Sequence, residues 1–431
     1  MKLNRKGITF YLVIGTFFTL LAFSGCTDTC ETTNTYTYFE PIYATSQEVR
    51  DGFKIGEPAV LKSPGKIYLY GQYVLINEPG EGVHIINNAD NKNPVIEKFI
   101  YIPGNFDIAV KNNILYADSY VDLLAIDISD IGNIRLVTRL ENVFPNYNIQ
   151  FGFAAGDGVI ITGWEEVQKI EVTDECRSTG GIVLLKFGVA VANDAFSASP
   201  NVSGPSTPTG IGGSMARFAV QSDFLYAVDS YNLNVFDISD TSSPKYENTV
   251  EVSWNVETIF PFKDKLFIGA QAGMFIFDIS VPASPAHVSS FLHVTACDPV
   301  VANDDYAFVT LRSGTACQGF TNQLDVIDIS SIENPRLHRT YPMQNPYGLG
   351  LDGDVLFICE AEFGLRVYNI ADVDNISSNL IAVFTDINVF DVIPWQKVLL
   401  AVGEDGLYQY DYSDIENIEL LSFIPIITDV E

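Results

Sequence analysis

The sequence is short of cations. Lys and Arg together number 24 against 54 Asp and Glu, a formal net charge of −30. Such a surface repels phosphate backbones and anionic headgroups, which argues against nucleic acid as a partner and favours cations, basic proteins or neutral ligands. Histidine is scarce too. His84, His287, His293 and His338 are the only four, too few and too scattered for a zinc site or a Ser-His-Asp relay to be expected. The nucleophile elbow G-x-S-x-G, the P-loop, H-E-x-x-H and paired C-x-x-C do not occur, and an S-x-x-K match at 242–245 falls in an ordinary turn. No 3.6-residue periodicity is sustained long enough to compete with a strand reading. The apolar run at 8–21 has 14 residues, whereas a spanning helix needs about 20.

That short run sits in a targeting signal. Lys2, Arg5 and Lys6 precede it and small residues follow, the layout of an export signal. The stretch Leu21-Ala22-Phe23-Ser24-Gly25-Cys26 resembles a bacterial lipobox, with Phe23 where Leu is usual. The resemblance implies cleavage after residue 25 and a lipid on Cys26, and a multiply acylated start anchors nearly irreversibly. The chain is therefore expected to divide into a signal peptide (1–25), a tether and approach segment (26–63), a folded body (64–426) and a short tail (427–431). Its expected address is an outer membrane or cell surface, with the membrane as a partner through the N-terminal lipid.

The body repeats itself. One heptapeptide recurs as VHIINNA at 83, LLAIDIS at 123, LNVFDIS at 233, MFIFDIS at 274, LDVIDIS at 324, LRVYNIA at 365 and LYQYDYS at 407, with a degenerate copy, VQKIEVT, at 167. The marker residues Asn87, Asp127, Glu171, Asp237, Asp278, Asp328, Asn369 and Asp411 are separated by 40, 44, 66, 41, 50, 41 and 42 residues. The two long gaps contain insertions at 188–214 and 312–322. Each unit holds about four short β-branched or aromatic runs divided by Asp, Ser, Asn and Pro turns, which is the size of one propeller blade. The expected fold is all-β, a β-propeller of about eight four-stranded blades. The third unit departs most from the pattern, and seven blades remain if it is not a true one.

The heptapeptides, with Gly65-Lys66-Ile67-Tyr68, Ile76-Asn77-Glu78, Ala117-Asp118-Ser119-Tyr120 and Cys297-Asp298-Pro299-Val300-Val301, resemble the LVIVD-repeat family of bacterial surface lipoproteins, common in Bacteroidota. The resemblance covers about residues 64–426. It implies a propeller fold and a surface address, in a family without a defined biochemical activity.

With strands lettered a to d outward from the channel, links d to a and b to c emerge on one face. Both insertions belong there, so this face is the expected binding face for a protein or glycan ligand. Cys297 and Cys317 fall in the same region and are expected to form a disulfide, stabilising by roughly 3 kcal/mol. Cys30 and Cys176 have no assigned partner, and Cys359 reads as a packing thiol. Glu78, Asp118, Asp229, Glu360 and Glu404 end strand b in their units. They are the candidate ligand-binding rim, with backbone capping by the same carboxylates as the alternative. The heptapeptide Asp reads as a turn former. Asp372-Val373-Asp374-Asn375 offers oxygens at alternate positions but no Gly and distal Glu to complete a calcium loop. No cofactor is expected beyond this weak calcium signal.

The leading expectation is a non-catalytic, surface-exposed binding or scaffold propeller. The alternatives are a propeller hydrolase or lactonase with a carboxylate-bound cation in the channel, and a structural envelope protein.

Overall fold

The structure is a computed structural model that describes residues 32–150, 153–173, 209–292, 299–313 and 321–427. The chain divides into two units, residues 1–40 with 164–188, and residues 41–163 with 189–431.

The described residues of the smaller unit belong to two strands, Thr32–Thr45 and Val159–Thr173, which pair as a two-stranded sheet. The Lys169 ammonium lies 5.7 Å from the Tyr36 ring centroid. The degenerate heptapeptide at 167 falls here, and it builds no blade among the described residues. Its composition explains why. At the place of the fully buried Ala125, which is apolar or amide in all seven blades, it carries Lys169, which is exposed; an ammonium there would be costly between two neighbouring blades.

The larger unit is a ring of seven four-stranded blades, the lower of the two expected counts. Blade 1 comprises Ile67–Tyr70, Tyr73–Glu78, Gly82–Asn87 and Val95–Tyr101. Blade 2 comprises Ile108–Lys111, Ile114–Ser119, Asp122–Asp127 and Arg135–Leu140. Blade 3 is Phe218–Gln221, Phe224–Val228, Asn232–Asp237 and Lys245–Glu251, and blade 4 is Val256–Phe262, Lys265–Ala270, Gly273–Asp278 and Ala286–Leu292. Blade 5 is Val300–Ala302, Tyr306–Leu311, Gln323–Asp328 and Arg336–Pro342, and blade 6 is Leu349–Asp352, Val355–Cys359, Leu365–Asn369 and Leu380–Phe384. Blade 7 is Val389–Trp395, Val398–Gly403, Gly406–Asp411 and Glu419–Pro425.

All strands within a blade are antiparallel, and every c–d pair carries one register shift at the same place, between Ile85 and Ile86 in blade 1 and between Gln409 and Tyr410 in blade 7. A repeated bulge of this kind adds twist to the outer strand. Strand c of blades 1 and 7 opens on Gly82 and Gly406, at φ 151° and 134°. A Cβ there would stand 2.0 Å from the Ile100 and Ile424 carbonyl oxygens, so only glycine lets strand d pass this close.

The heptapeptide Asp or Asn forms the c to d turn in all seven blades. Its Oδ1 accepts the N–H two residues on, at 2.9 Å for Asp127 and Ser129, 2.8 Å for Asp237 and Ser239, and 3.0 Å for Asn87 and Ala89. The same bond holds Asp278, Asp328, Asn369 and Asp411. The serine hydroxyl and N–H together pull the Asp127 and Asp278 carboxyls down to about 2.

The apolar core lies between blades, because strands b and c are covered on both faces. One cluster joins Leu75 and Ile85 of blade 1 to Leu115 and Ile126 of blade 2 and Leu225 and Phe236 of blade 3. Another joins Ile67 and Ile76 to Leu400 and Val402 of blade 7, so the last blade packs on the first. Among the described residues no strand is exchanged to close the ring. In blades 2, 4 and 7 the fourth residue of strand d supplies a hydroxyl to the c to d link of the following blade: Thr138 to the Ser242 carbonyl at 2.7 Å, Ser289 to Ile332 at 2.5 Å and, across the closing seam, Ser422 to Asn91 at 2.7 Å.

Residues 41–63 lead into blade 1. The six-residue helix Ser46–Asp51 begins with a Thr45 and Glu48 capping box. Arg50 then reaches Asp122 on blade 2, Nε at 2.8 Å and Nη2 at 3.1 Å. The strand Lys54–Gly56 pairs with the outer strand of blade 1. Among the described residues no helix is long and apolar enough to cross a membrane.

Candidate functional site

The five strand-b acids stand at three different register positions. Aligning the blades by their b–c pairs, with Asn77 opposite Val83, Asp118 opposite Leu123, Val228 opposite Leu233, Cys359 opposite Leu365 and Val402 opposite Leu407, sets Asp118 level with Asn77. Glu78, Asp229 and Glu360 lie one residue further and Glu404 two. A single-residue slip turns a side chain to the other side of a strand, so the five carboxylates do not form one ring.

Four of them hold the link that enters their own blade. Glu78 Oε1 accepts the Lys62 N–H at 2.6 Å, and His84 Nε2 lies 3.1 Å from the same oxygen. Burial pushes the Glu78 carboxyl up, but the His84 ring and the Lys62 N–H outweigh it and leave it below the usual range. Asp118 Oδ1 accepts the Phe106 and Asp107 N–H groups at 2.7 and 2.9 Å and the Asn105 amide at 2.9 Å. Burial dominates there, and the carboxyl rises to about 6. Glu360, fully buried, accepts the Gln344 N–H at 2.6 Å and the Arg366 guanidinium. Exposed Glu404 accepts the Asn388 side-chain amide at 2.9 Å, while its neighbour Asp405 takes the Asn388 N–H at 2.6 Å. Asp229 differs, accepting the Tyr231 and Asn232 N–H groups of its own b to c link at 2.9 Å each.

A different set of residues does share one register at the inner edge. The residue immediately before the strand-a partner of the strand-b position that precedes the Asn77 level is Lys66, Asp107, Arg217, Thr258, Pro299, Gly348 and Asp391 in blades 1 to 7, as the a–b registers show. Lys66 is 4% exposed, Asp107 2% and Asp391 0%. Lys66 Nζ meets Asp107 Oδ2 at 2.6 Å, and the same oxygen accepts the Arg217 N–H. One chain of contacts therefore ties blades 1, 2 and 3 at their inner edge. Burial pushes the Lys66 ammonium below the usual range, with Asp107 opposing. The sequence signal was present, a polar residue before each inner run in Lys66-Ile67, Asp107-Ile108 and Arg217-Phe218.

The central opening is crossed by the chain itself. Thr209 bridges Lys111, and the Gly210 N–H donates to the Val110 carbonyl at 3.0 Å on blade 2. Ile211 and Gly212 then pair with Leu69 and Tyr68 as an added inner strand on blade 1. Ser214 donates its N–H to Asp391 of blade 7 at 3.1 Å and accepts the Leu349 N–H of blade 6 at 2.5 Å. The Ala216 carbonyl accepts the Ile259 N–H of blade 4 at 2.7 Å. Backbone groups that strand a would otherwise present to a water-filled channel are thereby bonded to protein. This is the far end of the 188–214 insertion, expected as a surface link.

Cys26, Cys297 and Cys317 lie outside the described residues, as do Cys30 and Cys176. Cys359 is a free thiol, fully buried in the blade 6 and 7 core, and burial raises its pKa. In the 372–375 stretch, Asp372 accepts the Asp374 N–H at 3.0 Å and the Asn375 amide at 2.8 Å, while Asp374 faces His338 and Arg339. Among the described residues no three of His, Cys, Asp and Glu converge as a metal-binding group.

The repeat geometry agrees with a family model, the LVIVD repeat, which matches residues 212–252, 265–293 and 296–342. The chain carries LVIVD repeats. The matched LVIVD segments run from the last residues of the channel crossing through blades 3, 4 and 5. Among solved structures, the computationally designed Ika8 protein matches at 10% identity over 86% of this chain and 93% of its own, with a TM-score of 0.50, a likeness of fold alone. BamB from Moraxella catarrhalis matches at 7% identity over 86% of this chain and 96% of its own, TM-score 0.47. A functionally unknown protein from Desulfotomaculum acetoxidans matches at 10% identity over 84% and 95%, TM-score 0.47. No curated protein matches the chain.

Proposed function

We propose that this protein is a non-catalytic binding propeller, held at a membrane by a lipid on Cys26 and presenting the face of its d to a and b to c links to a partner. One observation carries the reading: the chain between Thr209 and Arg217 lies across the inner strands of blades 1, 2, 4, 6 and 7. That segment lies where a propeller hydrolase would hold a cation by converging carboxylates, and this favours recognition over catalysis. The strand-b acids support the same view, since their oxygens serve the links as hydrogen-bond acceptors. Rigid links on a closed disc suit recognition, because little side-chain and loop entropy is lost on binding.

The test compares two variants of the mature protein in capture from intact cells. Ser230→Arg with Glu362→Arg alters two b to c links on the proposed face. Ser242→Arg with Glu333→Arg alters two c to d links on the opposite face. Loss of one captured partner in the first variant and retention in the second supports the reading, and equal capture by both contradicts it.

A further inference from the structure

We infer that the cleft between blades 2 and 3 is a binding site for a neutral, hydroxyl-rich ligand of saccharide type. The assignment rests on the reading of the protein as a binding module and names its ligand class. The cleft holds about 370 Å³, within the range of about 300–1,000 Å³ usual for small-molecule sites. Its walls include Asn142 and Asn146, which follow strand d of blade 2, and Asp229, Asn232, Asn234 and Tyr246 of blade 3. Val143, Pro145 and Thr249 complete the lining, so the residue types are amides, one carboxylate, one hydroxyl, two apolar side chains and an aromatic ring, with no cation among them.

The geometry argues against a metal. Asp229 already accepts the Tyr231 and Asn232 N–H groups at 2.9 Å and the Asn234 amide at 3.1 Å, and the Asn146 and Asn232 amides stand at 3.4 and 3.5 Å. A carboxylate offers about four lone-pair sites, so these donors fill it and its charge is matched by N–H dipoles. The amide N–H branches of Asn146 and Asn232 point to Asp229, which leaves their carbonyl oxygens on the opposite branch as acceptors for hydroxyl groups.

The aromatic side is pre-set as well. The Thr249 hydroxyl donates to Asn234 Oδ1 at 2.7 Å, and the Tyr246 hydroxyl is 2.7 Å from that of Thr249. Phe236 meets the Tyr246 ring edge-on at 5.9 Å and 73°, while Tyr246 remains 49% exposed. A supported, half-exposed ring beside fixed amides offers a platform for the C–H face of a sugar and acceptors for its hydroxyls, at small entropy cost for a side chain with two torsions.

The test uses saturation-transfer NMR on the mature protein with a panel of neutral trisaccharides built from glucose, mannose, galactose or xylose. Transfer to at least one is expected, weakened about tenfold by Tyr246→Ala and by Asn232→Ala, with Tyr246→Phe retaining most of it and melting temperatures unchanged. No transfer to any trisaccharide, or transfer unaffected by both alanine variants, overturns the assignment. If the sugars fail while partner capture still depends on the face, only the cleft assignment falls. If both fail, the binding-module reading falls with it.

Discussion

Asn88 and Gln409 stand 321 residues apart and exchange two amide hydrogen bonds, Asn88 Nδ2 to Gln409 Oε1 at 2.9 Å and Gln409 Nε2 to Asn88 Oδ1 at 2.7 Å. They join blade 1 to blade 7 at the seam that no d to a link spans. Gln409 occupies the place on strand c that Ile85, Ala125, Val235 and Ile276 hold in other blades. Apolar packing serves the interior seams at this position, and a reciprocal amide pair serves the closing one.

Removing either amide leaves the other without its partners, and Gln409 is fully buried. Asn88→Ala or Gln409→Ala should cost about 1–3 kcal/mol in urea unfolding. The double variant should cost less than the sum of the two. Strict additivity would mean that the pair does not hold the seam.

Stability should pass through a maximum in mildly acidic solution. The Asp127 and Asp278 carboxyls are depressed to about 2 by their turn hydroxyls and N–H groups. Their contribution is present above the unfolded value of about 4 and is lost as pH falls towards 2. Asp118 has the opposite sign. Burial raises it to about 6, so its contribution is present below about 4 and is lost as pH rises through 6. Asp118→Asn should flatten the alkaline limb and keep the fold, because Asn77 does the same work at the equivalent place in blade 1, accepting the Lys66 N–H at 2.5 Å. Melting temperatures from pH 3 to 8 for both proteins check this.

The strand-b acids should separate sharply on mutation. Glu360→Ala strands the Arg366 guanidinium and the Gln344 N–H, at a cost of about 3 kcal/mol. Exposed Glu404→Ala should stay within about 0.5 kcal/mol of the parent. Equal losses in denaturant titrations would restore a common rim.

Lipid attachment is tested by metabolic labelling. Cells making the parent protein should incorporate palmitate into it, and Cys26→Ser should abolish the label. A labelled band that survives the substitution contradicts the anchor.

The fold was legible because its unit is local. The heptapeptide, its Asp turn and the spacing near 41 residues specify strands c and d with the bond that joins them. Glu171 matches the repeat marker because counting acids ignores burial, whereas Lys169, two residues earlier, stands at the place of the buried Ala125. The register of the strand-b acids was not legible for a related reason. Sequence marks the end of a strand to within a residue or two, and in a strand one residue decides which way a side chain points. The crossing at 209–217 could not be read, since Thr209-Gly210-Ile211-Gly212-Gly213 carries little periodicity and its partners lie on five different blades.

The account turns on whether the strand-b acids anchor the links that form the exposed face. Amide hydrogen exchange on Glu78→Ala, Asp118→Ala and Glu360→Ala tests this directly, because each carboxylate protects its own link: Lys62, Phe106 and Asp107, and Gln344. Faster exchange confined to the corresponding link in each variant, with protection retained in the strands, is the predicted result. Unchanged protection at all three links would contradict the account and return the acids to the role of an unoccupied ligand rim.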